Sequence, residues 1–137
     1  MLINILIFLA VMAIIFTVSG NKLPLLVFAS FSALFQYFAP VIQHDHFFLH
    51  AAVVNALVIA LIVTFAQFNT TSLLVCLLSL ICIICNIVGW FIYEIGYSAF
   101  AYDMLFTIIY GLFLALTLIE LGCKCLKKYQ SSWRSLP

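Results

Sequence analysis

Five long apolar runs separated by short polar breaks account for almost the whole chain: residues 2–18, 25–42, 47–68, 73–93 and 99–121. A helix crosses the hydrocarbon of a bilayer with about 20 apolar residues, within a range of about 17–25. Each run meets that length. The pattern therefore predicts an all-α, polytopic membrane bundle of five transmembrane helices joined by short loops. The breaks are turn-forming. In Ser19-Gly20-Asn21-Lys22-Leu23-Pro24 the Gly and Asn favour a left-handed helix stop, and Pro24 suits the first turn of the next helix. Pro40 predicts a bend or early stop near the end of the second run. Asp45, within Gln43-His44-Asp45-His46, is placed to cap the third helix. Thr71 or Ser72, within Asn69-Thr70-Thr71-Ser72, is placed to cap the fourth. Glu94-Ile95-Gly96-Tyr97-Ser98 divides the last two runs, and Gly122 marks the end of the fifth. The expected organisation is a bundle over residues 1–122 followed by a short basic tail, residues 123–137.

The runs are not uniform. In the fourth, Ser79, Cys82, Asn86, Gly89 and Tyr93 step by three or four residues and share one helix stripe among Leu, Ile, Val, Phe and Trp. A small or polar stripe in lipid is where another helix packs, so this helix is expected to be the hub. Ala52, Ala56, Ala60 and Thr64 repeat every four residues in the third run, a small-xxx-small face for close helix contact. Ala29, Ala33, Gln36 and Gln43 share a face of the second run, and Asp103, Thr107, Tyr110 and Thr117 a stripe of the last. Asn55, Ser79, Asn86, Thr107 and Tyr110 fall at mid-membrane depth. They either hydrogen-bond helix to helix or line a hydrated path.

Composition fixes the solvent. The chain is 68% hydrophobic and 7% charged, with a mean hydropathy of +1.34. A soluble domain is about 45–50% apolar and about 25% charged. A net charge of +1 without a basic face argues against nucleic acid as a partner. No Lys or Arg precedes the first run, so it reads as a retained span rather than a signal peptide. Charge also sets topology. Five crossings place Lys22, Lys124, Lys127, Lys128 and Arg134 on one side, and Asp45, Glu94 and Asp103 on the other. The positive-inside rule then puts the C-terminus in the cytoplasm and the N-terminus outside. Tyr37, Phe38, Phe47, Phe48, Trp90, Tyr93, Tyr97 and Tyr102 form the outer aromatic belt. The lack of a targeting sequence points to a bacterial cytoplasmic membrane, or to a virus acting on one.

Candidate chemistry is sparse. His44, His46 and His50 stand close enough in sequence to hold a divalent metal or to titrate near the outer surface; the alternative is that they solvate a helix start. Cys82 and Cys85 form a C-x-x-C on one side of a helix, and Cys123 and Cys125 lie in the tail, a set suited to a soft metal. In having cysteines in a span and in the tail, the chain is similar to small mercury transporters. The competing reading is that buried thiols act as small hydrophobes and are inert. Glu120 and Lys124 have the spacing of an i,i+4 ion pair. No Ser-His-Asp order, phosphate loop, H-E-x-x-H or dinucleotide fingerprint is present, so neither an enzyme nor a cofactor is expected.

The sequence thus predicts a small non-enzymatic integral membrane protein acting through helix association. It would be either a self-assembling pore or permeability protein or a small subunit of a larger membrane complex, with the lipid bilayer and either its own copies or that complex as partners. The odd number of spans, outside N-terminus and basic cytoplasmic tail are similar to those of holins. The rival reading is a transporter of a soft metal or other small cation using the membrane cysteines.

Overall fold

The computed structural model describes residues 2–17, 22–42, 44–95 and 100–134, with side chains for 8–17, 22–39, 41–42, 46–95 and 102–130. The expected positions of Ser19, Gly20, Asn21, Gln43, Gly96, Tyr97 and Ser98, and the side chains of His44, Asp45, Trp133 and Arg134, lie outside the described residues. The described chain is all-helical: α1 Leu2–Thr17, α2 Leu23–Phe38, a single 3-10 turn Ala39–Val41, α3 His44–Phe65, α4 Thr70–Glu94 and α5 Phe100–Arg134.

Local chemistry explains the boundaries. Pro24 occupies the first turn of α2, where its missing N–H costs nothing. The α-helix gives way to the 3-10 turn just before Pro40, and Ile42 is extended. Asn69, and neither Thr71 nor Ser72, caps α4: its side-chain oxygen accepts from the Ser72 backbone N–H at 2.9 Å. Ser72 Oγ turns back to the Gln67 carbonyl at 2.7 Å. Asn69→Ala should therefore lower stability by about 1 kcal/mol, read as a drop in the thermal midpoint of the purified protein in detergent.

Chain direction alternates. Phe48 at the start of α3 stacks on Tyr93 at the end of α4 and Tyr102 at the start of α5, and Phe47 packs on Phe35 near the end of α2. At the other end Thr71 of α4 meets Glu120 of α5, and Lys124 of α5 reaches the last turn of α1. One end of the bundle therefore collects Lys22, Thr71, Glu120 and Lys124. The other collects His46, Glu94, Asp103 and the aromatic side chains.

Helix lengths are unequal. At 1.5 Å per residue, α3, α4 and α5, of 22, 25 and 35 residues, measure about 33, 37 and 52 Å. Each contains a stretch long and apolar enough to cross a membrane. The 16-residue α1 and α2 measure only about 24 Å, against about 30 Å of hydrocarbon. The basic segment expected to be a separate tail is the continuation of α5, which runs through Gly122 to Arg134. Gly122 costs the helix about 1 kcal/mol relative to Ala, and the good helix formers Leu121, Lys124, Leu126 and Lys127 on either side carry the helix through it.

The core is built on α4, which touches α2, α3 and α5. Its inward stripe is Ser72, Val75, Ser79, Cys82, Asn86 and Gly89, all buried. Ile15, Leu25, Phe28, Val58, Ile62, Ile109 and Phe113 close around it. The outward faces are large aliphatic residues such as Leu77, Ile84, Val88, Leu112 and Ile119, as a lipid-facing surface requires. On α3 the face that packs is Ala51, Val58 and Ile62. The predicted contact face is turned away from it: Ala56, Ala60 and Thr64 are exposed and Ala52 is half-buried. Thr64 satisfies its own hydroxyl on the Ala60 carbonyl at 2.7 Å.

Candidate functional site: a cavity among α2, α3, α4 and α5

The inward stripe of α4 does not meet its neighbours everywhere. Between Cys82 and Asn86, the facing segments of α2, α3 and α5 stand back and leave a cavity of about 170 Å³. Phe28, Phe35, Phe47 and Phe106 provide its aromatic wall. Ser32, Gln36, Asn55, Asn86, Tyr102 and Tyr110 provide polar groups from all four helices. Among the described residues none that lines it is charged.

Each polar group is positioned by helical spacing. Asn86 donates Nδ2 to the Cys82 carbonyl one turn back at 2.7 Å, which fixes its amide with the oxygen facing α5. Tyr102 donates its hydroxyl to that oxygen at 2.7 Å. The ring reaches Asn86 because Gly89, one turn further along α4, has no side chain. A Cβ there would lie 2.6 Å from the Tyr102 ring and 2.9 Å from Phe48. Phe106, one turn below Tyr102, stacks on it with centroids 4.6 Å apart. Tyr110, another turn on, lines the cavity together with Gln36 of α2. On α3, Asn55 donates Nδ2 to the Ala51 carbonyl at 2.8 Å, so its own carbonyl oxygen is left as an acceptor. Buried polar groups in lipid are tolerated where they are satisfied within the protein, and this network satisfies most of them.

The sequence-predicted stripe divides accordingly. Ser79, Cys82, Asn86 and Gly89 are buried; Asn55 and Tyr110 join Asn86 and Cys82 at the cavity. Tyr93 is partly exposed and packs on Phe48 at the aromatic end. Thr107 lies on the outside of α5, its hydroxyl bonded to the Asp103 carbonyl at 2.8 Å. The inward face of α5 is instead Tyr102, Phe106, Ile109, Tyr110, Phe113 and Thr117. Tyr102 and Ser32 are the site residues that sequence reading did not single out for the interior. The spacing of 102, 106, 110, 113 and 117 was the available signal. Ser79 Oγ is buried without a hydrogen-bond partner among the described residues. An unsatisfied buried hydroxyl carries a desolvation cost, so Ser79→Ala should leave the thermal midpoint unchanged or raise it, measured side by side with the parent.

The other candidates are dispersed. Cys82 is buried in the cavity wall, Cys76 and Cys85 are half-buried, and Cys123 and Cys125 are exposed on the α5 extension; all five are free thiols. His46 and His50 have ring centroids 6.3 Å apart, and His50 Nδ1 is engaged with the His46 carbonyl at 2.7 Å. Among the described residues no three of His, Cys, Asp and Glu converge to hold a metal ion. Glu120 and Lys124 turn to other partners rather than to each other. Thr71 donates to the Glu120 carboxylate, and the Lys124 ammonium donates to the Thr17 carbonyl. Lys22 donates to the neighbouring Phe16 carbonyl at 2.7 Å. Two lysines thus cap the C-terminus of α1, where carbonyls lack helical partners and the helix dipole favours positive charge.

Fold and site together define a helical membrane bundle built on one central helix and enclosing an uncharged, partly polar cavity. No protein-family model, curated protein or solved structure matches the chain.

Proposed function

We propose that this is a small, non-enzymatic integral membrane protein that acts through helix association, as a subunit of a larger membrane assembly. The observation that carries this reading is the division of small residues between two faces. The small and polar face of α4 is used up inside the chain, around Ser79, Cys82, Asn86 and Gly89. The Ala52, Ala56, Ala60 and Thr64 ridge of α3 is left facing outward with no described helix upon it. In lipid, such ridges allow backbones to approach and are the usual seats of helix–helix contact. A self-assembling pore is the less favoured form of the same idea, because the polar residues that would line a channel are packed within one chain. All five helices cross in this reading, with the bilayer thinned locally around α1 and α2. The lysine-bearing end lies in the cytoplasm and the aromatic end outside, and the membrane is a bacterial cytoplasmic membrane.

The ridge can be tested without touching the core. Ala56→Leu with Ala60→Leu adds bulk only where the residues are exposed. The full chain, isolated from its native membrane in a mild detergent, is expected to have a mass above that of one chain plus micelle. The double variant should fall to the single-chain mass with an unchanged thermal midpoint. A parent protein that is strictly monomeric, or a variant that keeps its partners, refutes the ridge as the joining surface.

A further inference from the structure

We infer that the cavity among α2, α3, α4 and α5 is a binding site for a small neutral aromatic molecule bearing one hydrogen-bond donor, of the size and chemistry of a phenol. This goes beyond the association reading and does not depend on it, since the cavity is lined by one chain alone.

Size is the first argument. The cavity measures about 170 Å³, and a protein cavity of about 150 Å³ with apolar walls takes up benzene. One substituted ring fits. Charge is the second. Among the described residues no Asp, Glu, Lys, Arg or His lines the cavity, and an unpaired ion in such surroundings would be costly to desolvate. The occupant must be neutral. Wall chemistry is the third. Phe28, Phe35, Phe47 and Phe106 offer ring faces and edges, to which an aromatic guest packs with a preference beyond its area.

The hydrogen-bond inventory sets the polarity of the guest. Asn86 and Tyr102 are committed to each other. Asn55 has spent its amide N–H on the Ala51 carbonyl, which fixes which end of its amide is which. Its oxygen accepts from no described residue. What the Asn55 oxygen lacks is a donor, and a ring hydroxyl or ring N–H supplies one.

The test uses the full chain in lipid nanodiscs, with empty nanodiscs as background and fluorine NMR as the readout. The probes are para-fluorophenol, fluorobenzene and para-fluorobenzoate. The phenol should bind saturably, one per chain. Fluorobenzene should bind more weakly and the benzoate no more than to empty discs. Asn55→Leu, close in size, removes the acceptor and should weaken the phenol by about tenfold, the value of one hydrogen bond. Val54→Phe, in the same wall, fills the space and should abolish binding. If Val54→Phe fails to fold, the parent titration and Asn55→Leu decide. A phenol signal no greater than in empty discs overturns the inference. So does a benzoate or fluorobenzene that binds as tightly as the phenol, or an Asn55→Leu variant with unchanged affinity.

Discussion

Replacing Gly89 by Ala is expected to destabilise the bundle by about 1–3 kcal/mol, the range for overpacking a well-filled interior. The added methyl would lie 2.6 Å from the Tyr102 ring. Relief by moving that ring is blocked on three sides. Its hydroxyl is bonded to Asn86, Phe48 meets it edge-on with centroids 5.1 Å apart, and Phe106 stacks beneath it. The ring must either break its bond to Asn86 or push α5 away from α4. Gly111 is the internal comparison. A Cβ there meets nothing within 4 Å, and Ala is the better helix former. Gly111→Ala should be neutral or stabilising. Denaturation of both variants in mixed micelles, with the parent alongside, checks the contrast. Equal effects of the two substitutions would show that the approach of Tyr102 to α4 is not close.

Phe28→Ala is expected to cost more. Phe28 is 1% exposed, sits in the core beside Leu25 and Val58, and lies against Phe113 with ring centroids 4.5 Å apart. It also forms part of the cavity wall. In soluble proteins a buried Phe→Ala change costs about 3–5 kcal/mol, part of it transfer from water and part the void left behind. Lipid removes most of the transfer part, because hydrocarbon is as apolar as the core. The void remains, and here it joins space that already exists. The expected loss is therefore near the lower end, about 3 kcal/mol, read as a fall in midpoint in the same mixed-micelle denaturation. A loss below that of Gly89→Ala would mean that α2 closes over the gap.

The bundle was legible in the sequence because apolar runs and polar breaks are coarse signals. The inward face of α4 was legible for a second reason. Ser, Asn and Gly stand out against Leu and Ile, so contrast alone fixes the stripe. On α3 the contrast fails. Ala52 and Ala56 are one residue, or about 100° of helix rotation, from Ala51 and Asn55, and Ala60 is two residues from the buried Val58. In a lipid environment an alanine ridge and a mixed Ala and Val face are equally able to pack inward, and which one does is decided by the neighbouring helix. Thr107 was misplaced for a similar reason: a threonine that bonds its own helix carbonyl is content on either face. Tyr102 reads as an interfacial aromatic. That its ring turns inward depends on a missing side chain thirteen residues away on another helix, which no local pattern reports. The cavity is a property of four helices at once and leaves no trace in any one of them.

The lysine bonds at the foot of α1 have a bearing on how the protein is made. Lys22 is synthesised just after α1 and can reach Phe16 at once, but the group that holds Thr17 belongs to Lys124, 107 positions later. The first helix to be made is thus the last to be fastened. Until the final helix arrives, a short hydrophobic rod waits with part of its end unsecured, which makes the nascent chain most vulnerable to quality-control proteases near the close of translation. A ribosome stalled before Lys124 should release a product degraded far faster than one stalled a few codons after it.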